Sequence, residues 1–311
     1  MQTFKHYEDI SDIPYAKGCG AVQGFATGST YAYTIKVAHG TETIPKDTRA
    51  MVYRTHLRTR KTSLMQNARG GHSDYTTELG HGNDIVLAHD SSGRLFMYVA
   101  TMRSNNALDI VKLEYKGNSY QVVGGYSLHG TGISAVSGIT KTGYKSSGTV
   151  IQAVLKSSDR FYEVDIPLDR QTGILKVSAE HQCNFADLVV AGEPVRHFIH
   201  QGITYHKGQV FCPLWGGSEA AGKPHVSVVA VFDLDPQKGI SSLRASESLS
   251  FRIRSKKYST KFEIEGVGVD DNPDAGARRL WFNTNRISAP DDNGETPHRD
   301  GVHAFRDYQP G

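Results

Sequence analysis

Residues 201–216 read QGITYHKGQVFCPLWG, and residues 23–37 read QGFATGSTYAYTIKV. Each stretch opens on an amide side chain, a glycine and an apolar residue, crosses a turn, and ends in a run of aromatic and branched residues. That order is the grammar of a β-hairpin. The opening block recurs as Gln23-Gly24-Phe25, Asn83-Asp84-Ile85, Ser137-Gly138-Ile139, Gln201-Gly202-Ile203 and Glu265-Gly266-Val267. Its first positions stand 60, 54, 64 and 64 residues apart, so five units nearly fill the chain. Self-similarity at such a period signals a repeat architecture.

Working outward from the block, each unit holds further strands. Second strands are expected at 31–37, 94–101, 148–155, 209–216 and 279–286, and third strands at 51–57, 109–115, 160–166, 227–234 and 301–308. DIVKLEY at 109–115 and RFYEVDI at 160–166 alternate apolar and polar residues, as half-buried strands do. Fourth strands are expected at 62–68, 119–128, 173–182 and 248–253; the fifth unit has none. FKHYEDI at 4–10 is expected to supply it, joining the two ends of a ring by backbone hydrogen bonds and removing an open sheet edge. The expectation is an all-β protein: one five-bladed β-propeller over residues 1–311, four strands to a blade, the last blade closed by the N-terminal strand. A Greek-key sandwich is the alternative, and four-strand periodicity at this spacing fits blades better.

Composition narrows the function. The 311 residues carry 35 Lys and Arg against 32 Asp and Glu, a formal charge of only +3, and 38% are hydrophobic. These values exclude a disordered chain and a polycationic nucleic-acid binder. No stretch approaches the ~20 apolar residues of a membrane-spanning helix, so no membrane insertion is expected. The first 18 residues lack a basic segment followed by an apolar run, which implies a cytoplasmic protein or one secreted without a recognisable signal peptide. Cys19, Cys183 and Cys212 are far apart and suggest neither a disulfide framework nor a zinc site.

The inner strands of a propeller converge on a channel, so block positions are candidates for a ligand site. The glycine recurs in four units, consistent with crowding at the hub, and Asp84 alone replaces it. The position before it reads Gln23, Asn83, Ser137, Gln201 and Glu265. Two residues earlier, on the same strand face, stand Ala21, His81, Ala135, Ile199 and Glu263. His81, Asn83, Glu263 and Glu265 are therefore expected to cluster, with His200 at the rim. Such a cluster suits a divalent cation, an acid–base carboxylate pair, or an ordered water network with no function.

A second ring is expected from the ends of the second strands: Lys36, His39, Met102, Arg103, Lys156, Trp215, Asn283, Asn285 and Arg286. Trp215 suits stacking on a sugar, or wedging between blades. Asn283 and Asn285 share a strand face, and Arg286 offers a fork for a carboxylate or phosphate. Polar residues so close together in a buried strand need partners, of ligand or of structure. Hydrolase elbows, zinc-protease helices, phosphate loops and dinucleotide turns are all missing from the sequence.

The layout QGFATGSTYAYTIKV, with its echo QGITYHKGQVFCPLWGG, resembles the helveticin J-like proteins and the five-bladed propellers of bacteriocin-like and teichoic-acid-associated phage proteins. The resemblance covers the repeat pattern over nearly the whole chain and implies recognition of a cell-surface glycopolymer with antibacterial action. Five-bladed propeller glycosidases are similar in architecture alone. They set acidic residues from separate blades around the axis, whereas Gln23 and Ser137 occupy two of the matching positions here, leaving Glu263, Glu265 and Asp84.

Two functions follow as expectations. One is binding of a polar, carbohydrate-containing ligand at the axial mouth by Gln23, Asn83, Asp84, Gln201, Arg103, Trp215, Asn283, Asn285 and Arg286. The other is acid–base catalysis on a small molecule, by hydrolysis, cyclisation or isomerisation, with Glu265 or Glu263 as acid/base, His81 or His200 assisting, and Asn283 and Arg286 orienting the substrate. A deep pocket with converging carboxylate and histidine favours chemistry, and a shallow aromatic surface favours recognition.

Overall fold

The structure is a computed structural model. It describes residues 7–38, 49–69, 71–102, 108–128, 131–133, 135–183, 185, 188–190, 192–217, 226–234, 242–243, 250–253, 255, 257–270, 279–287, 299–306 and 308. His39 and Arg103, both expected near the ligand, lie outside these residues. Among the described residues there is no α-helix.

Five antiparallel sheets follow one another along the chain. Blade 1 runs outward through Cys19–Thr27, Tyr31–Ala38, Ala50–His56 and Thr62–Leu64. Blade 2 uses Asp84–His89, Leu95–Ala100, Ile110–Lys116 and Ser119–Ser127, and blade 3 uses Gly138–Tyr144, Val150–Ser157, Arg160–Pro167 and Val177–Cys183. In blade 4 the inner strand is broken into Ile199–His200 and Thr204–His206, followed by Gln209–Gly216, Val226–Asp233 and Phe251–Ile253. Blade 5 has Lys261–Asp270, Arg279–Ile287 and Gly301–Phe305, and its outer strand is Tyr7–Asp12 from the other end of the chain.

Side-chain alternation builds the ring. Along Leu95–Ala100, Phe96, Tyr98 and Ala100 enter the seam with blade 3 while Met97 and Val99 enter the seam with blade 1. Along Arg279–Ile287, Trp281 faces blade 1, and Leu280 and Phe282 face blade 4. A strand buried on both faces reads as a continuous apolar run, as the second strands do. Five apolar clusters result, one in each seam, and the seam between blades 5 and 1 is filled like the rest. The fold is a five-bladed β-propeller.

The closing strand pairs in register from Tyr7↔Phe305 to Asp12↔Gly301, with a bulge between Asp9 and Ser11. It is fastened by side chains as well. Tyr7 shares a 2.6 Å hydrogen bond with His303, whose other ring nitrogen lies 2.8 Å from the Thr284 hydroxyl. Arg286 Nη1 donates to Asp9 at 2.8 Å, and Nη2 donates to Asp12.

Two expected strands are divided. Of 62–68, only Thr62–Leu64 stays in blade 1; of the strand anticipated at 173–182 in blade 3, the first residues belong to Thr172–Ile174, which crosses to pair in parallel with the outer strand of blade 2, while Val177–Cys183 stays in blade 3. Gln66–Asn67 joins the same blade 2 strand, and Ser242–Leu243 pairs with the outer strand of blade 3. Each crossing covers backbone groups that an edge strand otherwise leaves open.

The block glycines sit where the inner strands meet. A Cβ on Gly24 would stand 2.7 Å from the Gly82 carbonyl, and one on Gly266 would stand 2.6 Å from Phe25 Cβ. The Gly24 N–H donates to that Gly82 carbonyl at 2.8 Å, so the strands touch backbone to backbone.

Candidate functional site

The channel has two ends. At one face the inner strands begin, bringing the block positions and the residues just before them; at the other face the same strands end.

Asp84 lies at the hub. Its carboxylate accepts the N–H groups of Ile85 at 2.9 Å, Ile139 at 2.9 Å and Ile203 at 2.8 Å, from blades 2, 3 and 4. Burial pushes its carboxyl up to about 8 even against these amide bonds, which favour the charged form. The exception to the glycine rule is thereby explained. Asp84 fills the space that glycine leaves in other units, and a Cβ on Gly202 would stand 2.8 Å from the Asp84 carboxyl carbon.

The strand-start end carries the expected carboxylates. Gln201 Nε2 donates to Glu263 Oε1 at 2.8 Å, and Lys261 Nζ lies 2.5 Å from Glu263 Oε2. Asn285 Nδ2 donates to Glu265, and the two glutamate side chains hydrogen-bond each other. Burial first, and then the Glu263 charge, hold the Glu265 carboxyl well above the ordinary range, against the pull of Lys261 and Asn285. Burial and the neighbouring Glu263 charge thus favour the neutral form of Glu265. Gln23 is buried, and its Oε1 has no hydrogen-bond partner among the described residues.

Other expected residues take part in holding blades together. Asn283 Oδ1 accepts the Gly266 N–H at 2.9 Å, and Nδ2 donates to the Gln23 carbonyl at 2.7 Å, linking blades 5 and 1. Asn285 Oδ1 accepts the Val22 N–H at 2.7 Å. Asn83 Nδ2 donates to the Ser137 carbonyl. Arg286, expected to orient a ligand, is fully buried against Asp9, Asp12 and the Asp300 carbonyl, with its guanidinium 4.3 Å from the Tyr258 ring centre. The Trp215 ring carries the Lys261 ammonium at 5.0 Å.

Among the described residues, neither His81 nor His200 forms an ion pair with Glu263 or Glu265. His81 is half-buried, and its N–H donates to the Thr101 carbonyl in blade 2. His200 lies against Phe185 with ring centres 4.1 Å apart, and its Nδ1 is 3.4 Å from the Ser158 carbonyl. Burial, with the nearby Lys156 charge, draws its imidazole down to about 4, so it is neutral at physiological pH. Among the described residues no group of three or more His, Cys, Asp and Glu side chains is placed to hold a metal ion.

A cavity of about 680 Å³ opens at the strand-end face, where sequence reasoning placed no candidate. Every blade contributes: Thr27 and Gly28, Leu87 and His89, Thr140 and Lys141, Thr204 and Tyr205, Gly268 and Val269. It extends over blades 1 and 2 along Tyr31, Tyr33 and Tyr115. Tyr33 meets Tyr115 edge-on at 5.9 Å, and Tyr31 at 6.4 Å. Arg54 braces this platform from behind, with its guanidinium 4.5 Å from the Tyr31 ring centre and Nη1 donating to Tyr115 Oη at 2.9 Å. The signal in the sequence was the tyrosine-rich start of the second strand in blade 1, YAY at 31–33.

No protein-family model matches the sequence, and no curated protein is detectably similar. The structure is similar to the tail fibre of Staphylococcus aureus phage P68, at TM-score 0.53 and 11% identity over 97% of this chain and 53% of that chain. The chain thus spans about half the length of the fibre. An exo-β-1,3-galactanase from Clostridium thermocellum aligns at TM-score 0.48 and 8% identity, over 96% of this chain and 60% of its own. The GH43 endo-arabinanase from Bacillus licheniformis aligns at TM-score 0.43 and 14% identity, over 92% and 95%. The likeness to the tail fibre is one of fold. No helix among the described residues is long and apolar enough to cross a membrane.

Proposed function

We propose that the protein is a recognition propeller that binds a polyhydroxylated ligand, a glycan, at the strand-end mouth. The observation that carries this reading is the open cavity of about 680 Å³ to which all five blades contribute and along which Tyr31, Tyr33, Tyr115 and Tyr205 are arrayed. Tyrosine faces stack on the C–H surface of a sugar ring at low entropic cost, and their hydroxyls reach its polar rim. The resemblance to helveticin J-like and cell-wall-recognising propellers points to a cell-surface glycopolymer, with antibacterial action as its consequence.

Glycan-array screening followed by calorimetry tests the reading. The expected result is saturable binding that falls about tenfold in Tyr205→Ala, a loss of ~1.4 kcal/mol, with the melting temperature nearly unchanged. Binding that survives Tyr205→Ala and Tyr31→Ala together places the ligand elsewhere.

A second reading, acid–base catalysis, is favoured by the Glu265 carboxyl, which burial and the adjacent Glu263 charge hold above the ordinary range. In that reading Glu265 is the acid, Glu263 its partner, and Gln23 Oε1 the buried acceptor left for a substrate hydroxyl. Glu265→Gln then abolishes turnover of aryl glycosides in a folded protein; turnover at the wild-type rate removes Glu265 from the chemistry.

A further inference from the structure

Lys36 in blade 1, Lys156 in blade 3 and Arg286 in blade 5 are all buried on second strands. Lys36 meets Asp300 at 2.9 Å, and Arg286 meets Asp9 and Asp12. Lys156 meets a hydroxyl instead. Its Nζ lies 3.0 Å from Ser137 Oγ and 3.0 Å from the Gln201 carbonyl oxygen. Burial draws the Lys156 ammonium below the ordinary lysine range, against the fields of Cys212, Asp84 and Cys183, which favour the charge. An uncharged amine keeps two N–H donors and gains a lone pair. One N–H serves the Gln201 carbonyl, and the lone pair is left for the Ser137 hydroxyl, whose other acceptor, the Lys156 carbonyl, is farther off at 3.4 Å.

A hydroxyl within hydrogen-bond reach of a base that a third group orients is the arrangement of an activated nucleophile. The Ser137 backbone is fixed at both ends, its N–H on the Lys156 carbonyl at 2.8 Å and its carbonyl accepting Asn83 Nδ2, which holds Oγ in place. Ser137 also borders open space. With Lys156 it lines a cavity of about 340 Å³ at the strand-start face, and it keeps 8% of its surface exposed. Met102, Ala135 and Phe198 give that cavity apolar walls, which suit a short hydrocarbon chain. His200 shares the cavity, but its Nδ1 faces the Ser158 carbonyl, so Lys156 is the base that holds Ser137.

We infer that Ser137 is a nucleophile for esters with a small apolar acyl group, and that Lys156 takes the proton from its hydroxyl. The bond from Ser137 Oγ to the acyl carbon forms as that proton passes to Lys156 Nζ; the ester C–O bond then breaks, and the proton moves from Nζ onto the departing alcohol oxygen. Water repeats the sequence on the acyl-serine, giving a proton to Nζ that returns to Ser137 Oγ as the acid leaves. The site is independent of the glycan reading, because it lies at the opposite end of the channel. Either can fail while the other stands.

Labelling of the full chain with a fluorophosphonate, followed by peptide mass mapping, tests the inference. The reagent forms an Oγ–P bond on an activated serine as its P–F bond breaks, with fluoride leaving and the proton on Lys156. An adduct is expected on Ser137. Lys156→Met should slow its formation ~100-fold, the scale of a lost general base. Ala135→Phe narrows the cavity without touching the lysine or its bonds, and should slow it roughly tenfold even if Lys156→Met fails to fold. The wild type should hydrolyse phenyl butyrate, and Ser137→Ala should not. An unlabelled Ser137 in the wild-type chain, a wild-type rate of labelling in folded Lys156→Met or in Ala135→Phe, or ester hydrolysis that is absent from the wild type or persists in Ser137→Ala would overturn the inference.

Discussion

The two ends of the channel are built from the same five strands and have opposite characters. Where the strands begin, polar side chains are numerous and mostly used: Asn283, Asn285, Asn83, Asp84 and Arg286 each join one blade to another or to the closing strand. Where the strands end, polar side chains such as Thr27, Thr140 and Lys141 and the half-buried Tyr31, Tyr115 and Tyr205 line an open cavity. A dense polar motif in a repeat protein is thus first a solution to backbone groups stranded at a crowded hub. The recognition proposed above is assigned to the end where the strands leave an open cavity.

The contrast is broken most severely through Asp84. Asp84→Ala leaves three inward N–H groups without an acceptor, at ~1–3 kcal/mol each, so the protein is expected to lose several kcal/mol or not to fold. Gly202→Ala should do comparable harm from the other side, since its Cβ meets the Asp84 carboxylate at 2.8 Å. Denaturant unfolding checks both; a variant as stable as wild type would mean that the hub is not organised around this carboxylate.

Next in size is the ring closure. Arg286→Met removes the buried partner of Asp9 and Asp12 and leaves the Asp300 carbonyl without its guanidinium donor, and should cost ~1–3 kcal/mol, seen as a lower melting temperature. Deletion of residues 1–12 should do at least as much, because it also opens the edge at Gly301–Phe305. An unshifted melting temperature after the deletion would show that the seam between blades 5 and 1 holds without its strand.

A smaller effect separates the carboxylate pair from the rest of the hub. Because the folded-state pKa of Glu265 is raised, the native protein holds a proton that the unfolded chain releases. This contribution is fully present below the ordinary glutamate value of ~4.3 and is lost as pH rises through the folded pKa. Glu265→Gln keeps the neutral form at every pH, so its stability relative to wild type should grow from mildly acidic toward alkaline pH. A difference that does not change with pH would show that Glu265 titrates normally. Smallest in stability, and largest in binding, is Tyr205→Ala at the open mouth.

Much of the architecture was legible in the chain. The block period marked five blades, the aromatic second strands marked their buried centres, and the YEDI of FKHYEDI marked the closure, Phe4, Lys5 and His6 lying outside the described residues, since each depends on local alternation that survives in one dimension. The path of Thr172–Ile174 to blade 2 was not legible, because a three-residue strand with every side chain exposed carries no pattern saying which sheet it joins. The expected cluster was partly met. Glu263, Glu265, Gln201 and Asn285 converge, while His200 lies beside Phe185 and Ser158, and His81 bonds by its backbone to Thr101.

The amino-acid order by itself determined that five hairpin units would form and that their glycines would meet at a hub, because strand period and missing Cβ atoms are properties of the local chain. Only the tertiary structure decided which polar residues are free. Whether Asp84, Asn283 or Arg286 faces a ligand or a neighbouring blade depends on amides and carboxylates more than 50 residues away in some cases and at the far end of the chain in others, as with Asp84 to Ile203 and Arg286 to Asp9. Hydrogen-bond saturation is a property of the assembled ring, and so is the cavity that the saturated hub leaves open at its other end.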